Sequence, residues 1–178
     1  MRCGKLSAPK KNTMPALKKQ KKVSSSHSPV GRGQQLIDMN EIIPGLHQGS
    51  KPPQGKILRR LGVRALVLAA EEYQPPASRF PGLRVFHAPL DDHRRPLSKA
   101  EWNRILGAAK FAARNVLDGR RTLVTCAAGL NRSGIISAGT VSFLTGLSGS
   151  DAVELVQSRR DWALCNESFA WQVARMFP

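Results

Sequence analysis

The sequence predicts an α/β fold, with a small, mostly parallel and twisted sheet flanked by helices. Short apolar runs alternate along the chain with longer segments whose apolar residues recur at helical spacing. This alternation begins near Ile37 and continues to the end of the 178 residues. Because ligands of such sheets bind at the carboxyl ends of the strands, the loops that follow the strands are where a functional site is expected.

Four segments are predicted to be strands. Residues 42–46 are expected to form an edge strand, because Pro44 has no N–H to donate to a central ladder. Residues 65–69 form an uninterrupted apolar run, which is typical of a strand buried on both faces. Residues 83–88 and 122–125 are predicted to be the remaining strands.

The longest helix is predicted from its signals at both ends. Ser98 followed by Glu101 is a capping-box pattern, in which each side chain accepts a hydrogen bond from a free backbone N–H at the helix start. Apolar residues then recur on one face as far as Gly119, which is predicted to end the helix. Four further helices are predicted, at residues 56–61, 133–144, 151–160 and 167–176, the last two with Ser150 and Asn166 as N-caps.

The positive charge is concentrated at the N-terminus. The chain has a formal charge of +16, and residues 1–34 carry nine basic side chains and no acidic one. This segment has few large apolar residues, so we expect a disordered basic tail before a folded domain at residues 35–178. The run at residues 18–22 suits contact with nucleic acid or a targeting role, but a solvated arm with no single partner is the favoured interpretation.

Cysteine content and hydropathy predict the compartment. Cys3, Cys126 and Cys165 are far apart in sequence and form no Cys-x-x-Cys pair, so a disulfide framework is excluded and a reducing environment is favoured. The sequence contains no run of about 18 apolar residues and no apolar segment of a signal peptide. We therefore expect a soluble cytoplasmic protein without a membrane partner.

The segment that carries chemistry joins the last predicted strand to the next helix. Cys126 stands at the strand end, and Arg132 follows six positions later at the helix start. A loop of this length can turn successive N–H groups inward around a phosphate, next to the positive end of a helix. Gly129 permits backbone angles that other residues avoid, and the small Ala127 and Ala128 leave the rim open.

Arg132 and Cys126 have complementary roles in this arrangement. The planar guanidinium of Arg132 can hold two phosphate oxygens, and its charge favours the thiolate form of Cys126, which is the nucleophile. The spacing alone is a weak signal, but its position between a buried strand and a helix is the one that the chemistry requires. The alternative is a buried cysteine that serves only packing.

On these residues the sequence resembles the dual-specificity phosphatases of the cysteine-based protein tyrosine phosphatase superfamily, over about residues 37–177. The resemblance implies that Cys126 is the nucleophile, that Arg132 binds phosphate, and that the Ser133 hydroxyl stabilises the departing thiolate. It also implies that the backbone of the residues between them binds phosphate, namely Ala127, Ala128, Gly129, Leu130 and Asn131.

The resemblance further implies a general acid on an upstream loop. We assign this role to Asp92, which precedes Cys126 by 34 residues. Asp91 is the alternative acid, and a polar turn without a catalytic role is the other interpretation. The chain departs from the family at Thr125, where a histidine usually precedes the nucleophile; we expect the hydroxyl to keep part of that hydrogen-bond network.

The predicted function is hydrolysis of phosphomonoesters through a phosphocysteine intermediate. The substrate class we expect is phosphoprotein, with phosphotyrosine and phosphoserine or phosphothreonine both allowed. One alternative is an RNA 5′-phosphatase, because residues 129–132 also resemble the loop of phosphatase-like RNA 5′-triphosphatases and the basic tail suits a nucleic-acid backbone. Another is a phosphate-binding module without catalysis. No metal or organic cofactor is implied.

Several residues near these motifs are predicted to be structural. We expect Cys165 to be part of the core, His93 to be a surface residue, and Arg159 and Arg160 to form a solvated helix end. The aromatic residues predicted to anchor the last helices in the core are Trp162, Phe169 and Trp171.

Overall fold

The computed structural model of the protein describes residues 37–177, which contain five strands and five α-helices. The strands are β1 (Met39–Ile43), β2 (Leu46–Gly49), β3 (Val63–Ala70), β4 (Arg84–Leu90) and β5 (Arg121–Thr125). The helices are α1 (Gly55–Arg60), α2 (Lys99–Leu117), α3 (Asn131–Thr145), α4 (Gly149–Arg159) and α5 (Glu167–Met176). The predicted tail at residues 1–34 lies outside the described residues. Among the helices described, none combines the length and apolar character needed to cross a membrane.

The five strands form one sheet in the order β1-β2-β5-β3-β4. β1 and β2 are antiparallel, and the other three neighbouring pairs are parallel, which confirms the predicted fold class. The predicted single strand at residues 42–46 is wrong in detail, because Pro44 and Gly45 form the turn between β1 and β2. Gly45 has φ +85°, a left-handed conformation that favours glycine in a tight turn.

Helices cover both faces of the sheet. α3 is buried along most of its length and packs with α2, α4 and α5 in the larger core on one face. The smaller core on the other face lies under α1 and the segment around Phe80. β3 is buried at every position except Arg64, as expected for a central strand covered on both sides.

The helix caps follow the sequence signals in one case and depart from them in two. Ser98 and Glu101 form the predicted capping box of α2. α4 begins two residues earlier than predicted, because the Ser148 hydroxyl, and not that of Ser150, accepts a hydrogen bond from the Asp151 N–H. Asn166 precedes α5 as predicted, but its side chain makes no capping hydrogen bond.

Candidate active site

The candidate site lies at the carboxyl edge of the parallel strands. The last residue of β5, Thr125, pairs with Gly49 of β2 on one side and with Leu68 of β3 on the other. The loops that follow these strands therefore leave the sheet at the same edge. The segments that follow β2, β3, β4 and β5 carry Lys51, Glu72, Asp92 and Cys126, respectively.

Cys126 lies at the start of the loop between β5 and α3, with only 3% of its surface exposed. Its sulfur accepts a hydrogen bond from the Gly129 N–H at 3.2 Å and lies 3.3 Å from the Ser133 hydroxyl oxygen. Gly129 has φ +72°, and a Cβ atom there would lie 2.5 Å from the backbone carbon of Gly49. Only glycine fits this position, so the loop closes tightly around the thiol.

The carbonyl groups of this loop point away from its centre. Four consecutive carbonyl oxygens, from Ala127 to Leu130, accept hydrogen bonds from groups outside the loop. The donors are the backbone N–H groups of Lys51 and Leu164 and the side chains of Gln48 and Arg160. Because C=O and N–H point in opposite directions across a planar trans peptide, the loop N–H groups face the other side. Within residues 37–177, the N–H groups of Ala127, Ala128 and Leu130 donate to no protein group.

Arg132, at the first turn of α3, is 8% exposed and is held by a carboxylate from another loop. Its two terminal nitrogens donate to the two carboxylate oxygens of Glu72, and the Nη2–Oε1 distance is 2.8 Å. Nη1 also donates to the Leu90 carbonyl at 3.2 Å. Burial lowers the pKa of Arg132, but the bonds to Glu72 outweigh it and raise this pKa above its ordinary value; they also lower the pKa of Glu72.

One edge of the Arg132 guanidinium stays available for a ligand. Glu72 and Leu90 use both hydrogens of Nη1 and one hydrogen of Nη2. The buried Nε has no partner among the described residues. The Nε hydrogen and the second Nη2 hydrogen lie side by side on the planar group, which is the geometry that binds two oxygens of a phosphate.

Asp92 is bonded through one carboxylate oxygen to the loop of residues 126–132, named the phosphate loop below after its expected ligand, and through the other oxygen to Asn166. Oδ2 accepts from the Asn131 side chain at 3.0 Å, and Oδ1 accepts from the Asn166 side chain at 2.9 Å. Asn166 also donates to the His93 carbonyl, so its side-chain nitrogen links Asp92 to the backbone of the same loop. Asp91 is exposed and makes no side-chain hydrogen bond with residues 37–177. Of the two candidate acids, only Asp92 is fixed beside the loop of Cys126.

The loop that carries Asp92 is anchored by Glu101 of α2. The Glu101 carboxylate is bonded to His93 at 2.7 Å, to Arg95 at 3.1 and 3.2 Å, and to Ser98. Burial raises the pKa of Glu101, but these bonds lower it more strongly, so the pKa lies well below its ordinary value. His93 is partly buried by these contacts and packs edge-on against the ring of Phe169, so it is less exposed than the predicted surface residue.

Arg160 is a structural part of the site and not a solvated helix end. It is buried, and its Nε donates to the Gly129 carbonyl at 2.6 Å, while Nη2 donates to the Ala128 carbonyl. The same side chain binds Asp38 and Asn40 at the beginning of the sheet. Arg159 is exposed, in agreement with the prediction.

The Thr125 hydroxyl does not have the role expected for it. It donates to the Val67 carbonyl at 2.9 Å, across the β5–β3 pair, and its bond therefore belongs to the sheet. The prediction that it keeps part of the usual loop network is wrong, because a side chain this short on a buried strand reaches the neighbouring strand first. Another group must hold the carbonyls of the loop.

Three predicted core residues lie at the surface. Cys165 is exposed, with its thiol 3.4 Å from the Asn131 side-chain oxygen, and Trp171 is also exposed. Trp162 is 79% exposed and has φ +63°, in the segment between Arg160 and Leu164, which both bind the phosphate loop. Phe169 is fully buried, as predicted. Across residues 37–177, no three His, Cys, Asp or Glu side chains are grouped to hold a metal ion.

Comparison with known proteins supports the fold assignment. The sequence matches no protein-family model and no curated protein. Among solved structures, Tk-PTP in its active form is 22% identical, with a TM-score of 0.66, and the match covers 79% of this chain and 95% of that chain. A mouse putative dual specificity phosphatase complexed with zinc tungstate is 21% identical, with a TM-score of 0.65 and coverage of 84% and 94%. Human DUSP28 is 23% identical, with a TM-score of 0.63 and coverage of 85% and 96%. The chain therefore shares the fold of the dual-specificity phosphatase structures that it matches, and this is the fold that the resemblance of its sequence implied.

Proposed function

We propose that the protein is a cysteine-dependent phosphatase, with a catalytic domain at residues 35–178 and a basic tail at residues 1–34. One observation carries the proposal. The Cys126 sulfur shares a short loop with free N–H groups and with an arginine whose remaining edge suits two phosphate oxygens. A buried cysteine that served only packing would have no use for these donors.

In the first step, the Cys126 thiolate attacks the phosphorus atom of a phosphomonoester. An S–P bond forms while the bond to the leaving oxygen breaks. Arg132 and the N–H groups of residues 127–131 bind the three non-bridging oxygens, where negative charge is concentrated. Asp92 gives its proton to the leaving oxygen, so an alcohol or phenol departs, and the enzyme holds a phosphocysteine.

In the second step, water replaces the thiolate. Asp92, now a carboxylate, accepts a proton from the attacking water, an O–P bond forms and the S–P bond breaks. The Ser133 hydroxyl, 3.3 Å from the sulfur, donates to the thiolate as it departs. Inorganic phosphate leaves, and Asp92 is protonated for the next turnover. The chemistry needs no metal or organic cofactor, because thiolate, guanidinium and carboxyl supply every role.

The substrate class that we propose is phosphoprotein, including phosphotyrosine and phosphoserine or phosphothreonine. The rim supports this choice, because the residues beside the nucleophile, Ala127 and Ala128, are small and exposed. Side chains of this size leave room for phosphate groups on both long and short side chains. RNA 5′-phosphate ends remain the alternative substrate, for which the basic tail would supply backbone contacts.

The test is a substrate panel measured for the full chain and for Cys126→Ser. We expect the wild type to hydrolyse an aryl phosphate and phosphopeptides, and the variant to lose activity while it still binds tungstate. If the wild type binds tungstate but hydrolyses nothing, the protein is a phosphate-binding module and the proposal is wrong. If 5′-triphosphorylated RNA is the preferred substrate, and deletion of residues 1–34 weakens its binding, the phosphoprotein assignment is wrong.

A further inference from the structure

Gln48 is a fully buried amide that no step of the proposed chemistry uses. It lies on β2, paired with Val124 of the strand that leads to Cys126, and none of its surface is exposed. Its Nε2 donates to the Gly129 carbonyl at 3.0 Å and to the Leu130 carbonyl at 3.3 Å. A buried amide costs free energy unless it is well bonded, so a polar residue inside a sheet needs a specific reason.

The cost at Gln48 is only partly offset. Its Oε1 is buried and has no partner among the described residues, whereas Nε2 contacts two backbone carbonyls. An aliphatic side chain at this position would avoid the unpaired oxygen entirely. The benefit of the residue must therefore lie in what Nε2 holds, which is the backbone of the phosphate loop.

We infer that Gln48 is a positioning residue that fixes the N–H groups of Leu130 and Asn131 toward the bound phosphate. The Gly129 carbonyl belongs to the same planar peptide as the Leu130 N–H, and the Leu130 carbonyl to that of the Asn131 N–H. When Gln48 draws these two carbonyls outward, the two N–H groups must point to the opposite side, toward the centre of the loop. This inference rests on the proposed function only in naming phosphate as the ligand.

Gln48 is needed to hold these carbonyls because Thr125, the residue before Cys126, does not bind them. The Thr125 hydroxyl is bonded to Val67, on the opposite neighbour of β5 from the strand that carries Gln48. The other side chain that binds the same carbonyl is Arg160, and it reaches only as far as Gly129 and Ala128. Within residues 37–177, the Leu130 carbonyl has Gln48 as its only side-chain donor, beside the Leu164 backbone N–H at 3.3 Å.

The decisive variant is Gln48→Met, which keeps the length of the side chain and removes its donor. Asn115→Leu is the matched control, because Asn115 is also a buried amide with an unpaired oxygen, and it donates to the Phe111 carbonyl on α2, away from the loop. The affinity for tungstate, kcat and KM for an aryl phosphate, and the melting temperature are measured for wild type and both variants. Tungstate serves as the probe because it is a tetrahedral oxyanion that needs no turnover.

We expect Gln48→Met to bind tungstate about tenfold more weakly and to lose at least as much in kcat/KM. The reason is that one or two N–H groups of the loop are no longer held toward the ligand. Asn115→Leu should keep both values, while the two variants lose similar thermal stability. Equal effects of the two substitutions on tungstate affinity, or an unchanged affinity in Gln48→Met, would overturn the inference.

A second measurement needs no variant and covers the case in which Gln48→Met does not fold. In the wild-type protein, tungstate titration followed by amide NMR should shift the N–H signals of Leu130 and Asn131 strongly. Absence of these shifts while tungstate binds would also overturn the inference. A wild type that binds tungstate and hydrolyses no phosphate would refute the proposed function and leave the role of Gln48 intact.

Discussion

Two side chains of the candidate site are each held through two atoms, and these two attachments fix the direction of each side chain. Asp92 accepts one hydrogen bond on each carboxylate oxygen, from Asn131 and Asn166. Arg132 is bonded through two nitrogens to Glu72. A group with one attachment can still rotate, whereas a group with two is oriented before substrate arrives, which lowers the entropic cost of reaching the transition state.

Replacement of the acid should affect substrates according to their leaving group. Asp92→Ala is expected to lower kcat for a phosphoserine peptide by about 10²–10⁴-fold, because an alkoxide cannot leave without a proton. The loss for an aryl phosphate should be much smaller, because a phenoxide is a more stable anion. The measurement is kcat for both substrates at constant pH.

Asp91→Ala is the matched control for this prediction. Asp91 is the adjacent, exposed carboxylate and has no side-chain partner within the described residues, so we expect both kcat values to change less than twofold. If Asp91→Ala instead shows the leaving-group pattern, the acid is Asp91. Equal losses for both substrates in Asp92→Ala would indicate that Asp92 acts only on the structure of the loop.

The site residues that could be predicted from the sequence are those that belong to a recognisable local motif. Cys126, Arg132 and Ser133 lie within eight residues, and the structure brings Asp92 to the same loop, so local spacing and the resemblance were sufficient to propose them. Glu72 precedes Cys126 by more than 50 residues in a segment without any motif. Its adjacency to a buried strand end was the one available signal. Gln48, in contrast, sits where the pattern of a strand gives no indication of a function.

At the scale of elements, the start of α2 anchors the loop that carries Asp92. Glu101 closes the capping box at the start of this helix and also binds His93 and Arg95 of the loop. The Glu101 carboxylate thus stabilises both the end of this loop and the first turn of the helix. The sequence revealed the cap through the spacing of Ser98 and Glu101, but the contacts with the loop depend on how the chain folds back, which no local pattern encodes.

Glu101→Gln should reduce stability in a manner that depends on pH. Because the pKa of Glu101 is lower in the folded protein than its ordinary value of 4.5, its contribution is complete above about pH 4.5 and is lost as the pH falls toward the folded-state pKa. We expect the variant to be less stable by about 1–3 kcal/mol at pH 7, with the difference shrinking toward pH 3. Urea unfolding of both proteins between pH 3 and pH 7 measures this.

The control for this comparison is Glu167→Gln. Glu167 also lies in the first turn of a helix, α5, but it is exposed and has no side-chain hydrogen bond within the described residues. Its replacement should change stability by less than about 0.5 kcal/mol at any pH. A difference between wild type and Glu101→Gln that stays constant with pH would show that the charge of Glu101 has no part in the stabilisation.

Two helices, α4 and α3, begin earlier than the sequence predicts. Ser148 caps α4 in place of Ser150, since either serine could start the helix and only Ser148 places its hydroxyl at the Asp151 N–H. α3 begins at Asn131 and not at residue 133, because the phosphate loop itself provides the first helical turn. Local signals located these helices but did not choose between adjacent starts.

At the scale of the whole molecule, one side chain joins segments from opposite halves of the described chain at the site. Arg160, after α4, binds Asp38 and Asn40 near β1 and also holds the carbonyls of Ala128 and Gly129. The pKa of Asp38 is lowered by its hydrogen bonds with Arg160. Arg160 is about 120 residues away in sequence from Asp38 and Asn40, so these contacts depend on the strand order, in which β2 and not β4 lies beside β5. No local sequence pattern predicts this order.

Removal of this link should damage stability and activity together. Arg160→Met keeps much of the apolar volume but leaves the Asp38 carboxylate and the Ala128 carbonyl without their arginine donor. We expect a loss of about 1–3 kcal/mol, seen as a melting temperature lower by about 3–10 °C, and a fall in kcat/KM of about tenfold because the loop loses one of its outer attachments. Arg159→Met, one residue earlier and exposed, should leave both quantities unchanged. Equal effects of the two substitutions would show that the connection between the first strand and the phosphate loop does not maintain the site. If Arg160→Met lowers only the melting temperature, Gln48 alone suffices to hold the Gly129 carbonyl.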